Sequence, residues 1–238
     1  MIQPSIDPRW GNEGRNAKAN ALLNTLIHAT GADLSDKVWL DAGCGSGGIA
    51  GHLATQVKWV YCIDPERWAQ WEALAQSHSN LKFLDGSFDS KTLPLGEAMV
   101  DVVVCNQVYE HVSNPQQLIT NIYNVLKPGG ICYFAGPNLL WPIEPHVFWP
   151  FLHWLPRTWA VKILKIFQPS AILDAYAKTS WWLKIEFQKN GFEYRNIIAE
   201  RAIAGMPLLR PLKAILTIFA NLFLPATPGF VFLLRKPL

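Results

Sequence analysis

In the stretch 39–48, WLDAGCGSGG, an aromatic and apolar run ends on Asp41, and Gly43, Gly45, Gly47 and Gly48 follow within seven positions. Glycines so placed let a backbone turn tightly and come close to a ligand. Two patterns are satisfied at once. Gly43, Gly45 and Gly48 fit the G-x-G-x-x-G of dinucleotide sites, while Asp41, Gly43, Gly45 and Gly47 fit D-x-G-x-G-x-G. The glycines alone do not choose between them, and a merely tight strand-to-helix turn is the plain reading. Two histidines could take a proton from a reacting group, since an unperturbed imidazole titrates near neutral pH. His111 follows the apolar run 100–105, and His146 stands beside Glu144. For His111 the alternative role is a hydrogen bond that orders its loop.

Such residues need strands behind them and helices in front. Short β-like runs at 38–40, 59–63, 81–84, 100–105, 131–134, 192–199 and 230–234 are mostly separated by helical patterns. That alternation implies βα units and a mainly parallel sheet. The best-marked helix has Asn114 as its cap and Pro115 in its first turn, with Leu118, Ile122 and Val125 on one face. Pro128, Gly129 and Gly130 stop it. Open sheets of this kind carry ligands at the carboxyl ends of strands, where strand order reverses. The glycine stretch ends the first strand and so belongs there.

Length and composition bound the function. The chain has 238 residues, enough for one core with insertions. Half the residues are hydrophobic and 16% are charged, which excludes a disordered or fibrous chain. A formal charge of +3 without a clustered basic face argues against a nucleic-acid partner. The first residues lack a secretory signal, and no window approaches the ~20 apolar residues that cross a bilayer, so a cytoplasmic location is expected. Cys44, Cys62, Cys105 and Cys132 are far apart, each in or beside an apolar run. They read as buried thiols rather than a zinc or redox set, and no metal is expected.

With the segments that follow it, WLDAGCGSGG resembles motif I of the class I S-adenosylmethionine-dependent methyltransferases, of the type 11, ubiquinone-biosynthesis-like group. YCIDPE at 61–66, LKFLDGSF at 81–88, DVVVCNQVYEHV at 101–112 and LKPGGICYFAGPN at 126–138 are similar to the later motifs, in the family's order. The resemblance covers about residues 37–138. It implies an α/β, Rossmann-like, seven-stranded and mostly parallel sheet of order 3-2-1-4-5-7-6 with helices on both faces. The last strand would be antiparallel, and helical insertions would follow strand 5 and separate strands 6 and 7. It also implies S-adenosylmethionine as cofactor, with S-adenosylhomocysteine as product. Asp41, Gly43, Gly45 and Gly47 would form its loop, Asp64 would hold the ribose hydroxyls, and Asp85, with Gly86 and Ser87, the adenine side. Asn106 and Gln107 would stand at the end of the fourth strand.

The chemistry agrees with that implication. A carboxylate accepts from both ribose hydroxyls, and a sulfonium cofactor without phosphates suits a loop lacking basic residues. Plain alternatives are that Asp64 caps the next helix, that Asp85 and Gly86 form a turn, and that Asn106 and Gln107 satisfy loop backbone. The expected reaction is methyl transfer, most readily to oxygen, on a small-molecule or lipid-linked acceptor. A nicotinamide-dependent oxidoreductase leaves Asp41 and the fourth-strand motif unexplained. A non-catalytic binding protein of the same fold is the other alternative.

The chain divides into an N-terminal helical segment (1–36), a cofactor-binding core (37–137), an aromatic insertion (138–190) and the final strands (191–238). The insertion reads as a cap over the acceptor, with Tyr109, Trp141, Glu144, Phe151, Trp154 and Leu155 as candidate contacts and His111 and His146 as candidate bases. A cap that buries its own aromatics is the alternative. Within the last segment, 206–228 carries Leu208, Leu212, Ile215, Phe219 and Leu222 on one stripe. So broad an apolar face must pack on the cap, pair with a second subunit, or rest in a membrane interface. The protein is a monomer or a homodimer on this reading. The first segment holds a helix at 16–28 that packs through Ala17, Leu22, Leu26 and Ala29, with Arg9, Trp10 or Arg15 able to reach the cofactor carboxylate or the substrate.

Overall fold

The computed structural model describes residues 12–198, 201, 212, 214, 215, 218, 219, 222, 223 and 227–238. Five parallel strands, β1 (Val38–Ala42), β2 (Trp59–Asp64), β3 (Leu81–Asp85), β4 (Val100–Asn106) and β5 (Leu126–Pro137), are closed at one edge by β6 (Glu193–Asn196) and β7 (Gly229–Arg235). The order is β3-β2-β1-β4-β5-β7-β6, and β7 runs antiparallel to both of its neighbours. Strand order reverses between β1 and β4, which pair directly, so the crevice lies at their carboxyl ends.

Helices α1 (Asn12–Thr30), α2 (Gly48–Ala54), α3 (Gln70–Ser77), α4 (Pro115–Val125), α5 (Arg157–Phe167) and α6 (Ser180–Lys189) complete the chain. Alternate strand residues feed two cores, as the pleat requires. Trp39, Val60, Val102 and Val104 pack with Leu22 and Leu26 of α1 and Leu53 of α2. On the opposite face Leu40, Val103, Phe134 and Phe232 pack with Leu118 and Ile122 of α4 and with Leu183 and Phe187 of α6. Strands covered on both faces read as continuous apolar runs, which is why VDVVVCN lacks clean alternation. Asn114 caps α4 by accepting the Gln117 amide at 3.1 Å, with Pro115 in its first turn.

Three boundaries differ from the sequence expectation. Helix α1 is longer than 16–28, and it buries Ala19 and Leu23 beside Leu22 and Leu26 while Ala17 faces solvent. Strand β6 stops at Asn196, whose side chain accepts the Ile198 amide and turns the chain out of the ladder. The insertion closes near Lys178, which bridges Asn138. Helix α6 therefore belongs to the sheet rather than the cap, with Leu183 and Phe187 fully buried. The four cysteines are buried free thiols.

The cap itself consists of a short hairpin (Ile143–Glu144 with Trp149–Pro150), a 3-10 turn (Leu152–Trp154), α5 and an irregular return. Its centre is aliphatic: Val147, Leu152, Ala160, Leu164 and Leu173. Trp154 and Trp159 are 49% and 67% exposed, so the cap does not bury all its own aromatics. Most of the apolar segment 206–228 lies outside the described residues; within it Leu212, Ile215, Ile218, Phe219 and Leu222 are helical and exposed. No helix among the described residues is long and apolar enough to cross a membrane.

Phe187 contacts the rings of Phe134, Tyr194 and Phe232. Phe187→Ala should destabilise the protein by roughly 3–5 kcal/mol in denaturant unfolding, through a cavity at the α6–sheet contact. Trp159→Ala, on the exposed side of α5, should change stability by less than about 0.5 kcal/mol.

Candidate active site

The loop after β1 is built on left-handed glycines. Gly43, Gly45 and Gly47 have φ of 74°, 51° and 82°. A Cβ on Gly43 would lie 2.6 Å from Val108, and one on Gly47 2.7 Å from the Phe83 ring, itself stacked on Trp71. At Gly45 nothing lies within 4 Å of that position, so the open side of the loop is there. Ser46, between them, has a buried hydroxyl with no hydrogen-bond partner among the described residues.

Asp64 ends β2 and ties it to the loop. Its Oδ2 accepts the Gly45 amide at 2.8 Å and its Oδ1 the Glu66 amide at 3.0 Å. Each carboxylate oxygen keeps a second lone pair. Helix α3 begins at Gln70, so Asp64 does not cap it. Asp85 stands opposite Asp64 in the β2–β3 register, its side chain 65% exposed with Arg67 4.0 Å away. Gly86 donates its amide to the Asp64 carbonyl at 3.1 Å. Ser87 is drawn elsewhere: its hydroxyl bonds Asp89, which also accepts from the Ser113 hydroxyl and the Asn114 amide. Ser87 and Asp89 thus brace the β3 loop against α4. Asp89 was not foreseen, because its partners on the α4 side, Ser113 and Asn114, lie 24 and 25 residues away.

On the other side of the crevice, Asn106 and Gln107 line a cavity of about 260 Å³ with Lys18, Leu22, Ile49, Tyr133 and Arg201. Gln107 is held at φ 60° with its amide bonded to the Ala135 carbonyl at 2.9 Å. A non-glycine residue in that region is strained and clusters at functional sites. Asp41 is buried, and burial pushes its pKa up to about 7 against the pull of the Arg15 cation, with Asp64 adding to the rise. Arg15 is buried with its stem 3.2 Å from where a Gly48 Cβ would stand. Arg9 and Trp10 lie outside the described residues. Lys18 and Arg201 carried no motif that marked them.

The second cluster joins the end of β4 to the cap hairpin. Glu144 is buried, and its carboxylate accepts the His146 amide at 2.7 Å, the Val147 amide at 2.8 Å and the His146 Nδ1 contact at 2.8 Å. Burial alone would raise the Glu144 pKa, but those bonds hold it below the ordinary value. The hydrogen bond to Glu144 in turn raises the His146 pKa. The His111 ring meets His146 edge-on with centroids 5.2 Å apart, and its Nδ1 lies 3.7 Å from Asp174. Burial lowers the His111 pKa, against Asp174. Glu110, missed on sequence, is fully buried with neither carboxylate oxygen hydrogen-bonded among the described residues, and burial pushes its pKa to about 7. One ligand atom each from Glu110, His111 and His146 lies within 4.8 Å of the others, a spacing that a divalent cation could bridge.

The other expected acceptor contacts separate. Tyr109 is 1% exposed, donating its hydroxyl to the Pro137 carbonyl at 2.5 Å and accepting the Lys178 amide at 3.1 Å. It is a strut and offers no wall to an acceptor. Trp141 is half-buried, its amide bonded to the Asn138 carbonyl. Phe151 and Trp154 pair at 5.0 Å on the outside of the cap, with Leu155 exposed beside them.

Residues 40–134 match the family described as a methyltransferase domain. The chain is 35% identical over 126 residues to the mitochondrial ubiquinone biosynthesis O-methyltransferase of Mus musculus, covering 50% of this chain and 34% of that protein. It is 30% identical over 158 residues to the ubiquinone biosynthesis O-methyltransferase of Rickettsia canadensis (strain McKiel), covering 64% and 65%. The chain thus spans about a third to just under two thirds of the length of these relatives. In fold it is similar to geranyl diphosphate methyltransferase in complex with S-adenosylmethionine, at a TM-score of 0.56 and 14% identity, covering 94% of this chain and 85% of that one. Residues 40–134 are thus similar to a methyltransferase domain.

The crevice has donors and acceptors that fit S-adenosylmethionine, the cofactor that the similarity implies. The unpartnered Ser46 hydroxyl and the open side of Gly45 face the same loop, and Asp64 and Asp85 keep lone pairs for hydroxyls and an amine. Lys18 and Arg201 suit a carboxylate at the cavity they line.

The Glu144–His146 pair has a checkable pH signature. With the His146 pKa raised, its share of stability is complete below the unfolded imidazole pKa and fades as pH rises through the folded value. With the Glu144 pKa lowered, its share holds above the unfolded carboxylate pKa and is lost as pH falls through the folded one. In chelator-dialysed protein, Glu144→Gln should move the His146 titration, followed by NMR of the ring carbon proton, to lower pH than in the wild type. An unmoved titration would show that the carboxylate does not set it.

Proposed function

We propose that this chain methylates an oxygen of a small-molecule or lipid-linked acceptor, using S-adenosylmethionine, with His146 as the general base. The observation that carries this reading is the Glu144–His146 pair at 2.8 Å, brought by the cap to within 5.2 Å of His111 at the end of β4. When bound, the cofactor supplies an activated methyl group on a sulfonium sulfur. Ser46 and the Gly45 side of the loop line its place, Asp64 and Asp85 orient its adenosine end, and Lys18 and Arg201 receive its carboxylate. Most of the acceleration then comes from holding donor and acceptor in line.

The histidines divide the proton work. His146, with its pKa raised by Glu144, takes the hydroxyl proton on its free Nε2 while Nδ1 stays bonded to the carboxylate, which stabilises the imidazolium. His111, with its pKa lowered by burial, stays neutral beside it. The two relatives are named for O-methylation, which supports oxygen as the acceptor atom. A second reading, in which a divalent cation joins Glu110, His111 and His146, is favoured by the Glu110 oxygens, which have no hydrogen bond among the described residues. Loss of turnover on chelation, restored by one metal, would select it.

Calorimetric titration with S-adenosylhomocysteine should show binding that Asp64→Ala weakens by ~1.5–3 kcal/mol, the scale of a charged hydrogen-bond partner. His146→Ala should cut turnover by roughly 10²–10⁴ while leaving that binding within about twofold, because a general base contributes to the rate and not to cofactor affinity. Unchanged turnover would remove His146 from the mechanism. Binding without turnover on any hydroxyl acceptor would favour the non-catalytic reading.

A further inference from the structure

Helix α5 carries an apolar surface wider than the part the cap covers. Ala160 and Leu164 are buried in the cap's aliphatic centre. Trp159, Ile166 and Phe167 extend the same side of the helix yet are 67%, 72% and 66% exposed. At 3.6 residues per turn, these three with Ile163 fall within an arc of about 100°, next to the buried pair. Lys162 and Lys165 border that arc on its other side. Phe148, in the hairpin before the helix, is 81% exposed at a φ of 54°, a conformation that bulky side chains rarely adopt.

Charge selects what covers this surface. Residues 145–173 contain Arg157, Lys162 and Lys165 but no aspartate or glutamate. A second copy meeting the face symmetrically would bring like charges together, which is costly. Tryptophan and phenylalanine flanked by lysine are instead the composition of an element at headgroup depth on an anionic bilayer, apolar side in and ammonium groups at the phosphates.

We propose that the cap docks on an anionic lipid bilayer through α5 and the adjoining Phe148 turn, lying on the surface without crossing it. Glu144 and His146 belong to the same cap, so docking places the candidate base close to the membrane. The inference rests on the lipid-linked half of the proposed function for its purpose, though not for its physical basis.

The test is flotation of the full chain with vesicles of phosphatidylcholine alone or mixed with phosphatidylglycerol. The wild type should float with the mixed vesicles and not with phosphatidylcholine alone. W159E/I166E and K162E/K165E should each lose about tenfold or more in partition. S-adenosylhomocysteine binding should be unchanged in both variants, which shows that they are folded. Failure of the wild type to float, or flotation of W159E/I166E equal to wild type, overturns the proposal. So does a wild-type dimer that W159E/I166E converts to monomer in the absence of vesicle binding, since the face would then be a subunit contact. Turnover of a water-soluble phenol should be unaffected by W159E/I166E. Vesicle binding that behaves as expected in a protein that methylates no hydroxyl acceptor would sink the proposed function and leave the docking surface standing.

Discussion

The hydrogen bond from the Gly45 amide to the Asp64 carboxylate is the constraint from which the site is laid out. It joins the loop after β1 to the end of β2 at 2.8 Å, and the Gly43 and Cys44 amides add bonds to the Ile63 carbonyl. That lacing is possible only if the loop backbone passes within side-chain distance of Val108 and Phe83, which excludes a Cβ at Gly43 and Gly47. The same carboxylate that fixes the loop keeps a second lone pair on each oxygen, so the residue proposed to recognise the cofactor is also the one that holds the loop in place. Asp41 adds a second acidic group close by, and its burial near Arg15, with a pKa of about 7, limits how much negative charge gathers there.

The candidate base is assembled differently. Glu144 binds the His146 amide, the Val147 amide and the His146 ring, all within a four-residue stretch, so the pair is a local unit that its own sequence forms. Only its placement against His111 is tertiary. Tyr109 supplies that placement: its hydroxyl joins the Pro137 carbonyl, where the chain leaves for the cap, to the Lys178 amide, where it returns. The Tyr176 amide adds a bond to the Glu110 carbonyl at 2.6 Å. Both ends of the insertion are thereby held to the β4 loop that carries His111.

This division explains what was legible before any coordinates. The sheet, its order and the roles of Asp41, Gly43, Gly45 and Gly47 as a tight loop could be read because short-range backbone requirements leave a mark in residue types. Ser87 and Tyr109 have intramolecular partners that were not legible, for the converse reason. Their hydroxyls are taken by Asp89 and by the Pro137 carbonyl and Lys178 amide, and nothing local announces partners so chosen. Glu110 escaped notice because a glutamate is rarely found fully buried, and its motif position gave no sign that neither oxygen would be hydrogen-bonded among the described residues. The expected insertion, 138–190, took in helix α6, whereas Leu183 and Phe187 commit it to the sheet.

The exposed aromatics follow from the same geometry. The cap has a small aliphatic centre, and an insertion of this size cannot bury a helix on both sides. One side of α5 must therefore face outward, and a polar outward face would have been the ordinary solution for a protein surrounded by water. Here that face carries Trp159, Ile166 and Phe167, and its only charges are cationic. Contiguous exposed apolar surface of this kind marks an interaction site. Because the hairpin bearing Glu144 and His146 and the helix bearing the apolar face share one core through Val147 and Leu164, any partner that fixes α5 also fixes the base. On the two proposals, the cap would join the docking surface to the candidate base.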